Sequence, residues 1–213
     1  MDAVHGVNHG TDLFSCLSGL ARLSCMVSCL VQKHERNQTN QRDEEPMDCV
    51  LLRHGIAVER EEWTGPDADR PLTERGARRV AQVAAGLSRL DVRPTHVWSS
   101  SLIRAIETAK IVHRVLQVRS AVQVVDVLLP DAPPDRLLSM LHDLPGESCV
   151  LCVGHEPHLG MVAAVLLTGK PSQAFPFKKA GACLIELPNP VKPGRGILRW
   201  WLPPGQLRDI GEG

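Results

Sequence analysis

The sequence predicts an α/β fold, a three-layer α/β/α sandwich whose central sheet is mostly parallel. Short apolar runs alternate along residues 47–202 with segments in which apolar residues recur at helical spacing. This alternation is typical of parallel strands joined by helices that cover both faces of a sheet. No helical segment separates the last two apolar runs, so these two are expected to pair directly as a hairpin.

The strands are predicted where short apolar runs end at a turn residue. The first run begins at Cys49 and ends abruptly in Arg53, His54 and Gly55. The third run is closed by Pro130, which cannot donate to a strand ladder. The six predicted strands are Cys49–Leu52, His96–Ser99, Val122–Leu129, Cys149–Val153, Ala182–Leu187 and Ile197–Leu202.

The helices are predicted from apolar periodicity and from start signals. The first has Thr73 as a candidate N-cap and Glu74 in its first turn, where an acidic side chain is favourable. Its apolar positions are Ala77, Val80, Ala81, Ala84 and Leu87. Three more helices are predicted from about Leu102 to Leu116, from Asp131–Pro134 onward through Leu141, and over His158–Leu167.

Residues 1–46 differ from the rest of the chain. They are expected to form a flexible N-terminal extension or to reflect a mis-set start, with one folded domain over residues 47–213. The apolar stretch from Leu13 to Val31 barely reaches the length of a membrane span and carries Arg22 near its middle. A charge at that depth is costly, so no membrane association is expected.

The composition narrows the classes of function. The 24 Lys and Arg residues equal the 24 Asp and Glu residues, and aromatic residues make up only 3%. Neither a basic nucleic-acid footprint nor a base-stacking platform is therefore expected. The seven cysteines are odd in number and irregularly spaced, which is typical of reduced thiols and favours a cytoplasmic protein.

Basic side chains follow three of the predicted strands. Arg53 and His54 follow the first strand, Arg104 lies in the first turn of the helix after the second, and His155 follows the fourth. The carboxyl ends of parallel strands share one edge of a sheet, so these four side chains are expected to meet there. Two guanidinium and two imidazole groups suit a dianionic phosphoryl group.

No metal or cofactor is expected in this site. His155 and His158 are three residues apart with Pro157 between them, so they do not fit the helical zinc motif, which needs a spacing of four. The chain also lacks a Gly-rich phosphate loop that ends in Lys-Ser or Lys-Thr. Catalysis would depend on placement and charge.

Four separated motifs resemble the histidine phosphatase superfamily, in particular its compact branch, the SixA-type phosphohistidine phosphatases. In chain order they are Leu52–Gly55, Arg70–Thr73, Ser99-Ser100 with Arg104-Ala105 and Thr108, and Gly154-His155. The match covers about Met47 to Leu207. The resemblance implies a phosphoglycerate-mutase-like fold.

The resemblance also implies roles for the basic residues. His54 matches the nucleophile that becomes phosphorylated, Arg53 and Arg104 match the phosphate-binding arginines, and His155 matches the second histidine. Family members that cleave phosphate esters have an acidic proton donor after the third strand.

Asp126 and Asp131 both lie near the donor position in the sequence, and each is a possible proton donor. The alternative is that Asp126 is a strand-end carboxylate and Asp131 is the N-cap of the next helix.

Three functions remain open at this stage. The first is a phosphohistidine phosphatase that acts on a protein, for example a phosphotransfer domain, through a covalent phosphohistidine on His54. The second is a phosphatase for a small phosphate ester. The third is a catalytically silent module that binds phosphate or a phosphoprotein.

Overall fold

The structure, a computed structural model, describes residues 45–213. The prediction of an N-terminal extension falls almost entirely outside the described residues and stays a prediction. The first strand begins at Met47. The six strands are β1 Met47–Arg53, β2 His96–Ser99, β3 Val122–Val124, β4 Cys149–Gly154, β5 Ala182–Leu187 and β6 Ile197–Leu202.

The six strands form one sheet in the order β3-β2-β4-β1-β5-β6. Strands β3, β2, β4 and β1 are mutually parallel, with Arg53 opposite Gly154 at the end of the β1–β4 ladder. Strand β5 is antiparallel to β1 and pairs with β6 as the expected hairpin. The mostly parallel sheet is therefore confirmed, and its carboxyl edge gathers the ends of β2, β4 and β1 side by side.

Within residues 45–213, five α-helices cover the sheet, and they complete the predicted three-layer sandwich. Helices α3 and α4 pack on one face, and α1, α2 and α5 pack on the other. Their bounds are α1 Glu74–Arg89, α2 Ile103–Val115, α3 Pro134–His142, α4 His158–Thr168 and α5 Pro204–Glu212. Short 3-10 turns lie at Arg60–Glu62, Asp67–Asp69 and Asp126–Leu128.

The central strand β1 shows why the sheet needs helices on both faces. Cys49 and Leu51 belong to the core on the α3–α4 side, whereas Val50 and Leu52 belong to the core on the opposite side. All four are fully buried. Successive side chains of a strand point to opposite faces, so an uninterrupted apolar run predicts a strand covered on both.

The start of α1 is as the sequence predicts. The Thr73 hydroxyl accepts a hydrogen bond from the backbone N–H of Gly76 at 2.9 Å. This bond satisfies one of the four N–H groups that a helix start leaves without a partner.

The third strand is shorter than predicted. It ends at Val124, and residues Asp126–Leu128 turn into a 3-10 helix instead. Strand β3 lies at the edge and pairs only with β2, which ends at Ser99. Beyond that point no neighbour remains to extend the ladder.

Two helix predictions also need correction. Asp131 is not an N-cap, because α3 begins at Pro134 and its N-cap residue, Pro133, makes no side-chain capping bond. Helix α5 was not predicted at all. Its start, Pro203-Pro204-Gly205, is typical of a turn, and Leu207 is its only buried residue, so apolar periodicity is weak.

Helix α5 packs on α1 through close backbone contact. A Cβ atom added to Gly86 would lie 1.9 Å from the carbonyl oxygen of Leu207. The contact therefore requires a glycine on α1.

In the part of the chain that the structure describes, no helix is long and apolar enough to cross a membrane.

We expect Gly86→Ala to lower the free energy of unfolding by about 1–3 kcal/mol, because the new methyl group forces α5 away from α1. Denaturant-induced unfolding measures this change. Gly205→Ala is the control: an added Cβ there meets no atom within 4 Å, so the change should stay below about 1 kcal/mol. Equal stabilities of the two variants would contradict the close helix contact.

Candidate active site

The carboxyl ends of three adjacent strands bring the four predicted basic residues together. Beyond β1, the backbone N–H of His54 donates to Gly154 O at 3.0 Å. Beyond β2, the N–H of Ser100 donates to Val153 O at 3.0 Å. These bonds continue the ladder past the strand ends and fix the turns that carry the polar side chains.

His54 is buried and its ring is held in one tautomer. Its Nδ1 lies 2.7 Å from the carbonyl oxygen of Gly55. Because a carbonyl only accepts, we assign the ring proton to Nδ1. Nε2 then carries the lone pair, and it makes no hydrogen bond within residues 45–213. An imidazole held in this way presents a nucleophile.

Gly55 is required by close packing under His54. A Cβ on Gly55 would lie 2.5 Å from Cγ2 of Val80 on α1. The N–H of Gly55 donates to the hydroxyl of Thr108 at 3.0 Å, and that hydroxyl donates to Arg104 O at 2.7 Å. The turn that holds the His54 ring is thus anchored to both α1 and α2.

The second imidazole, that of His155, lies beside the first. The ring centroids of His54 and His155 are 4.9 Å apart, and the planes are tilted by 51°. Nε2 of His155 lies 2.9 Å from Ser100 Oγ, which already accepts from the N–H of Leu102. The Ser100 hydroxyl has no other acceptor within residues 45–213, so we assign its proton to this contact, which leaves the proton of His155 on Nδ1. That Nδ1 is buried without a partner.

The two arginines are held in parallel ways. Nη1 of Arg53 donates to Phe177 O at 2.6 Å, and Nη1 of Arg104 donates to Asp67 O at 2.8 Å. The Nε atom of each arginine is buried and has no hydrogen-bond partner within the described residues. Each guanidinium therefore has one clamped end and, at Nε, one buried donor without a partner.

These atoms form a set that is complementary to a phosphoryl group. Three buried N–H donors of the four basic residues lack an acceptor: Nε of Arg53, Nε of Arg104 and Nδ1 of His155. One lone pair, on Nε2 of His54, lacks a donor. Buried polar groups without partners are rare in proteins and point to a missing ligand. Three equatorial oxygens can accept the three donors while the lone pair faces phosphorus.

The pKa values keep both imidazoles neutral. Burial, opposed by the Gly55 hydrogen bond and assisted by the charges of Arg104 and Arg53, lowers the pKa of His54 to about 3. Burial and then His54, Arg104 and Arg53 lower the pKa of His155 to about 2. These mutual effects also show that the four groups lie close together. A neutral His54 retains its nucleophilic lone pair at neutral pH.

Two carboxylates that sequence reasoning missed hold the arginines in place. Asp67 binds Arg104 through both its backbone oxygen and its carboxylate. Glu156 accepts the N–H of Phe177 at 3.0 Å, the same residue whose carbonyl binds Arg53. Both carboxylates reach the site from loops, where no periodicity signals them. Glu156 is the residue that follows His155 in the sequence. This adjacency was the only sequence signal that could have indicated a place for Glu156 in the site.

The two predicted proton donors are acidic residues that follow β3. Asp126 and Asp131 are both exposed, and neither carboxylate makes a hydrogen bond or ion pair within residues 45–213. The charge of Asp131 acts on His158, which is fully buried; burial lowers the pKa of His158 to about 4, and Asp131 opposes that shift. A donor role for either aspartate stays a prediction.

Lys179 lies at the opposite side of the site. Its Nζ is 3.5 Å from Oε1 of Glu59, and its charge contributes to the lowered pKa of His54.

Among the residues that the structure describes, no three His, Cys, Asp or Glu side chains are grouped so that they could hold a metal ion.

Known proteins share both the sequence pattern and the fold. The sequence model of the histidine phosphatase superfamily (branch 1) matches residues 49–128. An uncharacterized protein of Picosynechococcus is 32% identical over 137 residues, which cover 63% of this chain and 82% of that protein. The phosphohistidine phosphatase SixA of Escherichia coli is 26% identical over 164 residues, which cover 76% of this chain and 97% of that protein.

Among solved structures, the protein histidine phosphatase SixA complexed with tungstate aligns with a TM-score of 0.67. The two chains are 27% identical, and the alignment covers 76% of this chain and 99% of that chain. The similarity therefore extends over nearly the whole of the known structure.

The lowered histidine pKa values predict a stability that falls with decreasing pH. The ordinary pKa is 6.5, and it is about 3 for His54, about 2 for His155 and about 4 for His158. Above 6.5 all three are neutral in both states. Below it the unfolded state binds protons that the folded state does not, so the unfolded state is favoured.

We expect the free energy of unfolding to drop between about pH 7.5 and about pH 5 by roughly 1–2 kcal/mol for each of the three histidines. Denaturant titrations at the two pH values measure the drop. His158→Leu removes one titrating group and should reduce the drop in the free energy of unfolding by roughly 1–2 kcal/mol. An unchanged drop in that variant would contradict the buried, neutral state of His158.

Proposed function

The chain belongs to the histidine phosphatase superfamily and is a phosphatase, and on that premise we propose that it removes the phosphoryl group from phosphohistidine on a partner protein. The observation that carries the proposal is the set of three unpartnered buried donors around the Nε2 lone pair of His54. That set matches the three oxygens and the phosphorus of one phosphoryl group.

The first step is transfer of the phosphoryl group to His54. Its Nε2 lone pair attacks phosphorus, a new P–N bond forms, and the P–N bond to the substrate imidazole breaks. The electron pair of the broken bond stays on the leaving nitrogen. Arg53, Arg104 and His155 donate hydrogen bonds to the equatorial oxygens, where charge is spread in the transition state. Nδ1–H of His54, bound to Gly55 O, stabilises the positive charge that the ring gains.

The second step is hydrolysis of phospho-His54. Water attacks phosphorus on the side opposite Nε2, the P–N bond breaks, and Nε2 recovers its lone pair. The attacking water keeps one proton as the new P–OH group and releases the other to solvent, and inorganic phosphate leaves. The same three donors hold the oxygens in both steps, so the protein needs no rearrangement between them.

The leaving group favours phosphohistidine over a phosphate ester. An imidazole nitrogen leaves phosphorus more readily than an alkoxide does, so it needs less help from a general acid. Within residues 45–213, neither Asp126 nor Asp131 makes a hydrogen bond or ion pair to the four basic residues, and both are exposed; this supports a substrate that needs no strong donor. The similarity to SixA proteins, one of them bound to the oxyanion tungstate, supports the same substrate class.

The partner follows from the substrate. A phosphohistidine occurs on a protein, so the partner is a phosphoprotein, for example a phosphotransfer domain. A cytoplasmic location and the absence of nucleic-acid and membrane partners stay predictions.

We expect His54→Ala to abolish phosphate release from a phosphohistidine protein, because the nucleophile is lost, while thermal unfolding remains close to that of the unchanged protein. The labelled phosphoryl group should appear on the unchanged protein as an acid-labile adduct and be absent from His54→Ala. His142→Ala, an exposed histidine at the end of α3, is the matched control and should retain activity.

Turnover by His54→Ala at the full rate would overturn the mechanism. Tight binding of the phosphoprotein without turnover by the unchanged protein would instead indicate a silent binding module.

The substrate class is tested with a panel of small phosphate esters. We expect their hydrolysis to be slower than that of phosphohistidine by at least about 100-fold, the usual contribution of a general acid. Asp126→Asn and Asp131→Asn should change the rate on phosphohistidine by less than about twofold. Fast ester hydrolysis that falls sharply in one of these two variants would favour a small-ester phosphatase.

A further inference from the structure

A chain of ion pairs connects the Arg70–Thr73 motif with the phosphoryl site. Arg70 is not one of the four basic residues of the site, and it has no role in phosphoryl transfer to His54 or in the hydrolysis that follows. Its Nε donates to Asp67 Oδ1 at 2.9 Å, and its Nη1 donates to Val58 O at 2.7 Å. Both contacts lie within the loop that precedes α1, so Arg70 fixes the shape of this loop around Asp67.

Asp67 binds both terminal nitrogens of Arg104. Nη1 of Arg104 donates to the backbone oxygen of Asp67 at 2.8 Å, and Nη2 lies 3.1 Å from Oδ2. A guanidinium that is held at two nitrogens cannot rotate about its long stem. The remaining nitrogen, Nε, is the buried donor without a partner.

The two oxygens of Asp67 serve two different arginines. Oδ1 accepts from Arg70 and Oδ2 pairs with Arg104. Partial burial opposes ionisation of this carboxyl, but the hydrogen bond from Arg70 and the charges of Arg104 and Arg70 outweigh it and lower its pKa. The Asp67 carboxyl group is therefore ionised at neutral pH, and in this state it pairs with both arginines.

We propose that Asp67 is a positioning residue, which aims the Nε–H of Arg104 at the phosphoryl oxygens, and that Arg70 positions Asp67 in turn. The proposal rests on the proposed function for its effect on turnover, and on oxyanion binding alone for its second readout. It also gives the Arg-Pro-Leu-Thr motif a role in the site: Arg70 holds Asp67, and Thr73 caps α1.

Arg53 provides an internal comparison. Its Nη1 is also bonded to a backbone carbonyl, that of Phe177. Unlike Arg104, however, Arg53 makes no ion pair with a carboxylate within residues 45–213. Loss of the Asp67 carboxylate should therefore disturb one guanidinium and leave the other in place.

The test variant is Asp67→Asn. An asparagine keeps the backbone carbonyl and the side-chain size, but it has one oxygen, and its NH₂ group would face an arginine N–H. We expect kcat/KM on phosphohistidine to fall about tenfold, because misplacement of one group by a fraction of an ångström weakens transition-state binding. The apparent Kd for tungstate, measured by thermal shift, should rise by a similar factor.

The matched control is Asp69→Asn, which makes the same charge change in the same 3-10 turn without contact to Arg104. It should alter both readouts by less than about twofold. In an Arg104→Ala background, Asp67→Asn should have almost no further effect on residual turnover, since a residue that acts through Arg104 is silent without it.

Equal losses caused by Asp67→Asn with and without Arg104 would show a merely structural role and overturn the proposal. Unchanged turnover and unchanged tungstate affinity would overturn it as well. If Asp67→Asn does not fold, Arg70→Gln tests the same chain and should weaken both readouts. If the unchanged protein binds tungstate but does not hydrolyse phosphohistidine, the proposed function fails, and tungstate affinity still decides the role of Asp67.

Discussion

The structure depends on keeping unpaired hydrogen-bond donors in a buried place. Nε of Arg53, Nε of Arg104 and Nδ1 of His155 have no acceptor within the described residues, although each is removed from solvent. An unsatisfied buried donor costs about 1–3 kcal/mol. The fold must therefore be stable enough to carry several such groups. In the proposed mechanism a phosphoryl group supplies the acceptors and offsets this cost, which would favour the binding of an oxyanion.

The sheet supplies the required rigidity. Strands β1, β4 and β2 lie side by side in its centre, and their last residues are bonded to one another beyond the regular ladder. Side chains that leave three bonded strands at the same edge have little freedom to separate. The two loops that complete the site contribute backbone carbonyls, Phe177 O and Asp67 O, and each carbonyl fixes one end of a guanidinium. Carboxylates in turn fix the loops.

The same burial tunes the nucleophile. Burial lowers the pKa of His54 and keeps its ring neutral, and the positive charges of Arg104 and Arg53 add to this effect. The bond from its Nδ1 to Gly55 O selects the tautomer that exposes the Nε2 lone pair. Positive charge near a neutral imidazole thus does two things at once: it attracts the phosphoryl dianion and preserves the lone pair that attacks it.

The sequence by itself determined the α/β class, the positions of every strand except the end of β3, the positions of α1, α2 and α4, and the four basic residues at strand ends. Apolar alternation, capping and strand-end chemistry are local signals, and they survive in the folded chain. Only the tertiary structure decided where β3 ends, that α5 exists, and that Asp67 and Glu156 hold the arginines. Strand ends depend on neighbouring strands, α5 depends on contact with Gly86, and loop carboxylates find their partners across more than twenty residues. Such contacts depend on distances in space, which no local pattern of residues encodes.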